Sequence, residues 1–182
     1  IVKSKIERYR SLRRSMYHDS LTGLLNHTST KSALDRALAE SEKDQRPVSV
    51  VMVDIDYFKK VNDTYGHPVG DQVIRSLAWL LKQRLRKTDI IGRYGGEEFL
   101  VGLVGSTPQQ ALKTMDKIRK DFNLIQHPYG DSYFNISFSG GIASYPEFSD
   151  REELVLRADE ALYRAKRGGR NQLAVAQADA AV

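Results

Sequence analysis

Residues 47–55 read P-V-S-V-V-M-V-D-I, and this β-branched apolar run constrains the fold more than any other stretch. A half-exposed strand would alternate polar and apolar residues, and a surface helix would show a polar face every third or fourth position. A run apolar throughout has to be covered on both sides, as the central strand of a sheet flanked by other elements. It ends in Asp54-Ile55-Asp56, so carboxylates stand at the strand's C-terminal end, where an open sheet presents its chemistry.

A second acidic cluster lies in Tyr94-Gly95-Gly96-Glu97-Glu98-Phe99. Gly95-Gly96 reads as a two-residue hairpin turn with positive φ at both positions, between strand-like residues 89–94 and 99–104. Strand alternation would then send Glu97 and Glu98 to opposite faces. Taken alone, the turn could be acidic and merely solvated. An acidic pair at a hairpin tip repels itself and packs nothing, so a cationic group is expected to compensate it.

The remaining pattern alternates helices and strands. Residues 28–42 form a helix with Ala33, Leu34, Ala37 and Leu38 inward and Thr28 or Ser29 as N-cap. Pro68 suits the first turn of a helix burying Val73, Ile74, Leu77, Leu80 and Leu81. Residues 107–122 and 151–167 are helical, the latter closed by Gly168-Gly169. Residues 133–143 are strand-rich, split by Gly140-Gly141, and 173–176 form a short last strand. Together these imply a mixed sheet flanked by helices, an α+β domain.

At the N-terminus, Val2, Ile6, Tyr9 and Met16 fall on one seam, with Arg13 interrupting it and Leu12 beside it. The helix either packs on its own domain or is the end of a coiled-coil signalling helix; little more than two heptads cannot hold a dimer unaided. The chain opens at Ile1 without Met and reads as a fragment of something longer. The expected division is 1–17 as this helix, the end of a linker from an upstream region, 18–176 as the catalytic domain, and 177–182 as a disordered tail.

With 182 residues, 41% hydrophobic and 28% charged, the chain is long enough for one domain with a real core. No apolar run approaches the roughly 18 residues of a membrane span. The absence of cysteine excludes disulfides and thiolate metal sites and fits a cytoplasmic setting. A net charge of +5 could suit nucleic acid, but the basic residues are scattered and not interleaved with stacking aromatics, so no nucleic-acid partner is expected.

Asp54 and Glu97, brought together on neighbouring strands, would make an all-oxygen site for a hard cation such as Mg²⁺ or Mn²⁺. Lys59 and Lys60 follow directly, then Asn62 and Asp71. Carboxylates for a metal with lysines, an amide and a further carboxylate nearby are the parts of a metal–nucleotide site.

Four blocks carry a resemblance. D-S-L-T-G-L-L-N over residues 19–26, D-I-D-Y-F-K-K-V-N-D-T-Y-G-H-P-V-G-D over 54–71, R-Y-G-G-E-E-F over 93–99, and A-D-E-A-L-Y-R-A-K over 158–166 with Gly169-Arg170-Asn171 resemble, in order, the GGDEF family of diguanylate cyclases. The resemblance spans nearly the whole chain. It implies a palm-like, nucleotidyl cyclase-like fold and condensation of two GTP into cyclic di-GMP and two pyrophosphates, across a homodimer with two divalent metals per active site. It implies Asp54, Glu97 and the Ile55 carbonyl as metal ligands, and Glu98 near the attacking hydroxyl as general base or second metal contact. Lys59 joins Glu98 in the catalytic set. Asn62 and Asp71 would contact guanine. The backbone at Tyr57 and Phe58, with Lys166 and Arg170, would receive the triphosphate. Arg86 and Asp89 form an RxxD just upstream of the hairpin, which in the family marks an inhibitory product site. Asp56, as Asp54's alternate neighbour, is expected to point to the other side of the strand and is left out of the catalytic set. One departure stands out: the first block ends in Asn26-His27 where the family has Asn-Arg, which puts a supporting ion pair in doubt. The implied setting is cytoplasmic, either free or as the cytoplasmic part of a membrane-anchored protein, under an upstream sensor. The competing reading is a catalytically silent module that binds cyclic di-GMP or GTP as a receptor; retention of Asp54, Glu97 and Glu98 argues against it.

Overall fold

The computed structural model describes residues 2–178. Ile1 and most of the tail expected at 177–182 lie outside the described residues. Six helices and seven strands follow in order: α1 (Val2–Tyr17), α2 (His27–Asp44), β1 (Val48–Ile55), α3 (Phe58–Tyr65), α4 (His67–Arg84), β2 (Ile90–Arg93), β3 (Glu98–Val104), α5 (Pro108–Asn123), β4 (His127–Tyr129), β5 (Ser132–Phe134), β6 (Phe138–Tyr145), α6 (Arg151–Arg167) and β7 (Leu173–Val175).

Five strands form a mixed sheet in the order β2-β3-β1-β6-β7, antiparallel except where β7 runs parallel to β6. β1 is central, and all eight of its residues are buried. Its alternate side chains enter two different cores. Val51, Val53 and Ile55 pack with Val73, Ile74 and Leu77 of α4 and Met115, Ile118 and Phe122 of α5. Val48, Val50 and Met52 pack with Leu34 and Leu38 of α2 and Leu154, Ala158 and Leu162 of α6. Each such side chain, fully buried, is worth about 1.5–3 kcal/mol, which is why the strand is apolar on both faces. The result is the mixed sheet flanked by helices that the alternating pattern implies, in the palm-like α+β form that the resemblance implies.

Three local expectations are corrected. The N-cap of α2 is Asn26, not Thr28 or Ser29: its side chain accepts from Ser29 N, and the Ser29 hydroxyl closes a capping box. Gly140-Gly141 does not split the strand but lies inside β6, and the break falls at 135–137. A Cβ on Gly141 would lie 2.0 Å from Ala158 O and 2.2 Å from Leu162 N, so the glycine lets α6 press on the sheet. A small second sheet, β4 with β5, was not anticipated.

α1 does not pack on the domain along its length. Every residue from Ser4 to His18 is exposed, including the seam residues Ile6, Tyr9 and Met16. None of the described helices is long and apolar enough to cross a membrane.

Candidate active site

The β1–β3 register puts Asp54 directly opposite Glu98. Residues facing each other across an antiparallel ladder present their side chains to the same face. Glu97 is not on the strand. The connection between β2 and β3 runs through Tyr94, Gly95, Gly96 and Glu97, longer than the expected two-residue turn, and neither glycine has positive φ. Tyr94 N and Gly95 N donate to Glu98 O at 2.8 and 3.2 Å, and Ile55 N donates to Glu97 O at 3.3 Å. Strand alternation therefore does not divide Glu97 from Glu98; the loop holds Glu97 beside the end of β1.

The loop is braced from outside. Arg93 Nε and Nη2 donate to Gly96 O at 3.0 and 2.9 Å, and Arg93 Nη1 is ion-paired with Asp19 at 3.2 Å. His27, the departure from the family pattern, bonds Tyr94 O through Nδ1 at 2.9 Å. An ion pair supporting the N-terminal turn is thus present, supplied by Asp19 and Arg93.

Lys166, in the last turn of α6, donates to Asp54 Oδ2. The cation expected for the Glu97–Glu98 pair is thus ion-paired with Asp54 instead, and only its charge acts on Glu98. Even so, burial pushes the Asp54 carboxyl above the usual carboxylate range; Glu97 and Asp56 add to the rise and Lys166 opposes it. Glu98 is raised as well, by burial first, then by Asp54 and Asp159, with Lys166 again opposing. Tyr94, Glu98, Arg151, Asp159 and Lys31 line a cavity of about 490 Å³ on the α2–α6 face. Nothing in the local sequence gives Asp159 a role; the fold brings it near Glu98.

Asp56 is buried, and its oxygens accept from Ser137 Oγ and Ser139 Oγ, both at 2.7 Å, and from Asn171 N at 3.0 Å. The expectation that it points to the other side of the strand from Asp54 does not follow from strand geometry. Residues two apart share a face in a strand; β1 ends at Ile55, and Asp56 beyond it ties the start of β6 to the turn after α6.

Tyr57 adopts the left-handed conformation at φ 55° and caps α3, so the amides after it open a helix start. A left-handed residue followed by helical ones makes a concave set of N–H groups suited to an anion. The Arg170 guanidinium lies 4.8 Å from the centre of the Tyr57 ring. Phe58 is partly buried against the α4–α5 core, while Lys59 is exposed on the first turn of α3.

Asn62 of α3 abuts Gly70 of α4, where a Cβ would lie 1.9 Å from Asn62 Oδ1. Asn62 Oδ1 is buried and has no hydrogen-bond partner. Asp71, the next residue on α4, is half-buried. An orphaned buried acceptor is what a donor-bearing base edge would complete, and Asp71 follows Gly70 on the helix that Asn62 abuts.

Arg86 and Asp89 meet each other instead of the site above. Asp89 accepts from Arg86 N at 2.9 Å and from its guanidinium at 3.3 Å, and Arg86 Nη2 also reaches Val104 O at 2.7 Å. They precede β2, whose four residues separate them from the acidic loop by about 13 Å of strand.

Among the described residues, no group of three or more His, Cys, Asp or Glu side chains is gathered to hold a metal ion by itself. The oxygens of Asp54, Glu97 and the Ile55 carbonyl fit a cation that binds through one or two carboxylates and completes its shell from water and substrate phosphates, the habit of Mg²⁺. Burial first, and neighbouring carboxylates second, disfavour the charged forms of Asp54 and Glu98, and an added cation would offset both.

A family model described as "Diguanylate cyclase, GGDEF domain" matches residues 16–172. Diguanylate cyclase DgcP of Pseudomonas aeruginosa is 36% identical over 158 residues, covering 87% of this chain and 24% of its own. The response regulator PleD of Caulobacter vibrioides is 37% identical over 185 residues, covering 93% of this chain and 40% of its own. The chain thus spans between a quarter and two fifths of the length of these relatives. Among solved structures, the coiled coil and GGDEF domain of DgcB from Caulobacter crescentus, in complex with c-di-GMP, superposes with a TM-score of 0.88 at 32% identity, covering 96% of this chain and 93% of that one. The active GGEEF domain of a diguanylate cyclase from Vibrio cholerae gives 0.79 at 32% identity, covering 86% of this chain and 99% of that one.

Proposed function

The chain belongs to the GGDEF family of diguanylate cyclases, and we propose that it condenses two GTP into cyclic di-GMP and two pyrophosphates, each 3′-hydroxyl attacking the α-phosphorus of the other nucleotide. The observation that carries this reading is the Asp54–Glu98 pair at the end of β1, with both carboxyls raised and Lys166 beside them. Glu98 accepts the proton of the attacking hydroxyl from its place opposite Asp54 at the end of β1. Asn62 and Asp71 select guanine: adenine lacks the N1–H and 2-amino donors and would leave their acceptors unpaired. The Tyr57 and Phe58 amides, Lys59 and Arg170 hold the triphosphate, and Lys166 offsets charge at the reacting end. When bound by Asp54, Glu97 and the Ile55 carbonyl, divalent ions, Mg²⁺ or Mn²⁺ and two per site, lower the pKa of the attacking hydroxyl and neutralise the leaving oxygens.

One chain offers one such site, so the reaction needs two facing copies. We assign product feedback to Arg86 and Asp89, and signal input to α1 as the end of a linker from an upstream sensor, in a cytoplasmic setting. The test is incubation with GTP and Mg²⁺ followed by product identification. Cyclic di-GMP is expected from the parent and none from Glu97→Gln or Glu98→Gln. A dimeric parent that binds GTP and makes no product is a receptor instead.

A further inference from the structure

The carbonyls on either side of Gly95 are both held by side chains. Gly96 O accepts from Arg93. Tyr94 O lies 2.9 Å from His27 Nδ1, and the two rings stack with centroids 4.1 Å apart and a tilt of 34°. A carbonyl oxygen can only accept, so Nδ1 carries the proton.

His27 is the first residue of α2, and that helix start is fixed on two sides. Toward β2, Arg93 N donates to Leu25 O at 2.9 Å, and a Cβ on Gly92 would lie 1.8 Å from Thr30 Oγ1. Toward α1, Asn26 Nδ2 donates to Met16 O at 2.9 Å, Asn26 N to Tyr17 O at 3.1 Å, and Ser29 Oγ to Tyr17 O. The residues flanking His27 are therefore anchored to the hairpin and to the last turn of α1 together.

We propose that His27 is a positioning residue: through its hydrogen bond and stack on Tyr94 it fixes the loop that carries Glu97 and leads into Glu98, and ties that loop to the end of α1. It supplies the loop with a ring N–H donor and a stacking face. As a role in synthesis, this rests on the cyclase reading above.

The test compares the parent with His27→Ala and His27→Arg. Losing one such hydrogen bond is expected to lower kcat for cyclic di-GMP about five- to tenfold, with KM for GTP within a factor of two. Amide exchange over residues 94–98 should speed up by a similar factor while exchange in the β1–β6 core is unchanged. His27→Arg, which restores a donor, should recover most of both. In the parent, imidazole ¹⁵N shifts should place the proton on Nδ1. Parental kcat and loop exchange in His27→Ala, a uniform rise in exchange across the domain, or a proton on Nε2 would each overturn the proposal. If the parent makes no product, the cyclase reading falls, while loop exchange and tautomer still decide the role of His27.

Discussion

Asp54 faces Glu98 across the β1–β3 ladder, so two carboxylates share one face at the end of a fully buried strand. Like charges directly opposite each other destabilise a sheet. Lys166 offsets part of this, yet both carboxyls remain raised. A fold that keeps this repulsion binds a cation more tightly, because binding relieves it. The strain sits where nucleotide and metal are proposed to arrive, not in the core.

The first prediction follows from Glu98. Its folded pKa lies above its ordinary 4.5, so the native state holds its proton more tightly than the unfolded chain. Stability is then full below that ordinary value and falls as pH rises through the folded pKa. Glu98→Gln cannot ionise. Its Tm should match the parent's near pH 4 and exceed it by a few degrees at pH 7. Thermal scans across this range check it; a parent equally stable or more stable at pH 7 would refute the charge argument.

Gly70→Ala should separate binding from folding. Alanine favours a helix over glycine by about 1 kcal/mol, and the atom its Cβ meets is the movable end of Asn62. Tm should stay close to the parent's. The Asn62 amide, however, is displaced from its place against Gly70, and a guanine contact of this kind is worth about 1–3 kcal/mol. The affinity for GTP, measured by calorimetry, should fall about tenfold. Unchanged affinity would show that Asn62 does not read the base.

Much of this was legible in the sequence because it depended on local pattern. The apolar run of β1 announced a buried strand, and α6 begins at Arg151 and ends at Arg167 as its caps required. What was missed depended on distant partners. Gly140-Gly141 looked like a strand break, since glycine weakens strands, whereas Gly141 answers to the backbone of α6. Asn26 was passed over as N-cap because Thr28 and Ser29 are equally good cap types. Glu98, not Glu97, faces Asp54 because the β2–β3 connection is longer than two residues, and loop length sets register. The β4–β5 hairpin has strands of three residues, too short for a period to show.

Arg86→Ala should blunt product feedback. The Asp89 carboxylate is almost fully buried and caps Arg86 N, so replacing Asp89 would damage the turn. The Arg86 side chain is 58% exposed, so it can exchange its contacts with Asp89 and Val104 O for a guanine or phosphate. Added cyclic di-GMP should need at least a tenfold higher concentration to halve the rate of Arg86→Ala. Inhibition at the parental concentration would remove Arg86 from the inhibitory site.

Assembly gives the last prediction. The seam residues Ile6, Tyr9 and Met16 of α1 are exposed, so the helix offers a second copy an apolar stripe that its own domain leaves uncovered. Two heptads are too short to pair tightly. The helix also carries Lys3, Lys5, Arg8, Arg10, Arg13 and Arg14 against Glu7 alone, so two copies side by side repel. Dimerisation should be weak and should strengthen with salt, as screening shortens the reach of that repulsion to about 8 Å at physiological ionic strength. Specific activity should therefore rise with protein concentration, in step with the dimer fraction seen by sedimentation. Fusing a stable coiled coil in register before Ile1 should remove the concentration dependence by raising the effective concentration of the partner. A specific activity that stays flat from dilute monomer to concentrated protein would refute synthesis across two facing chains.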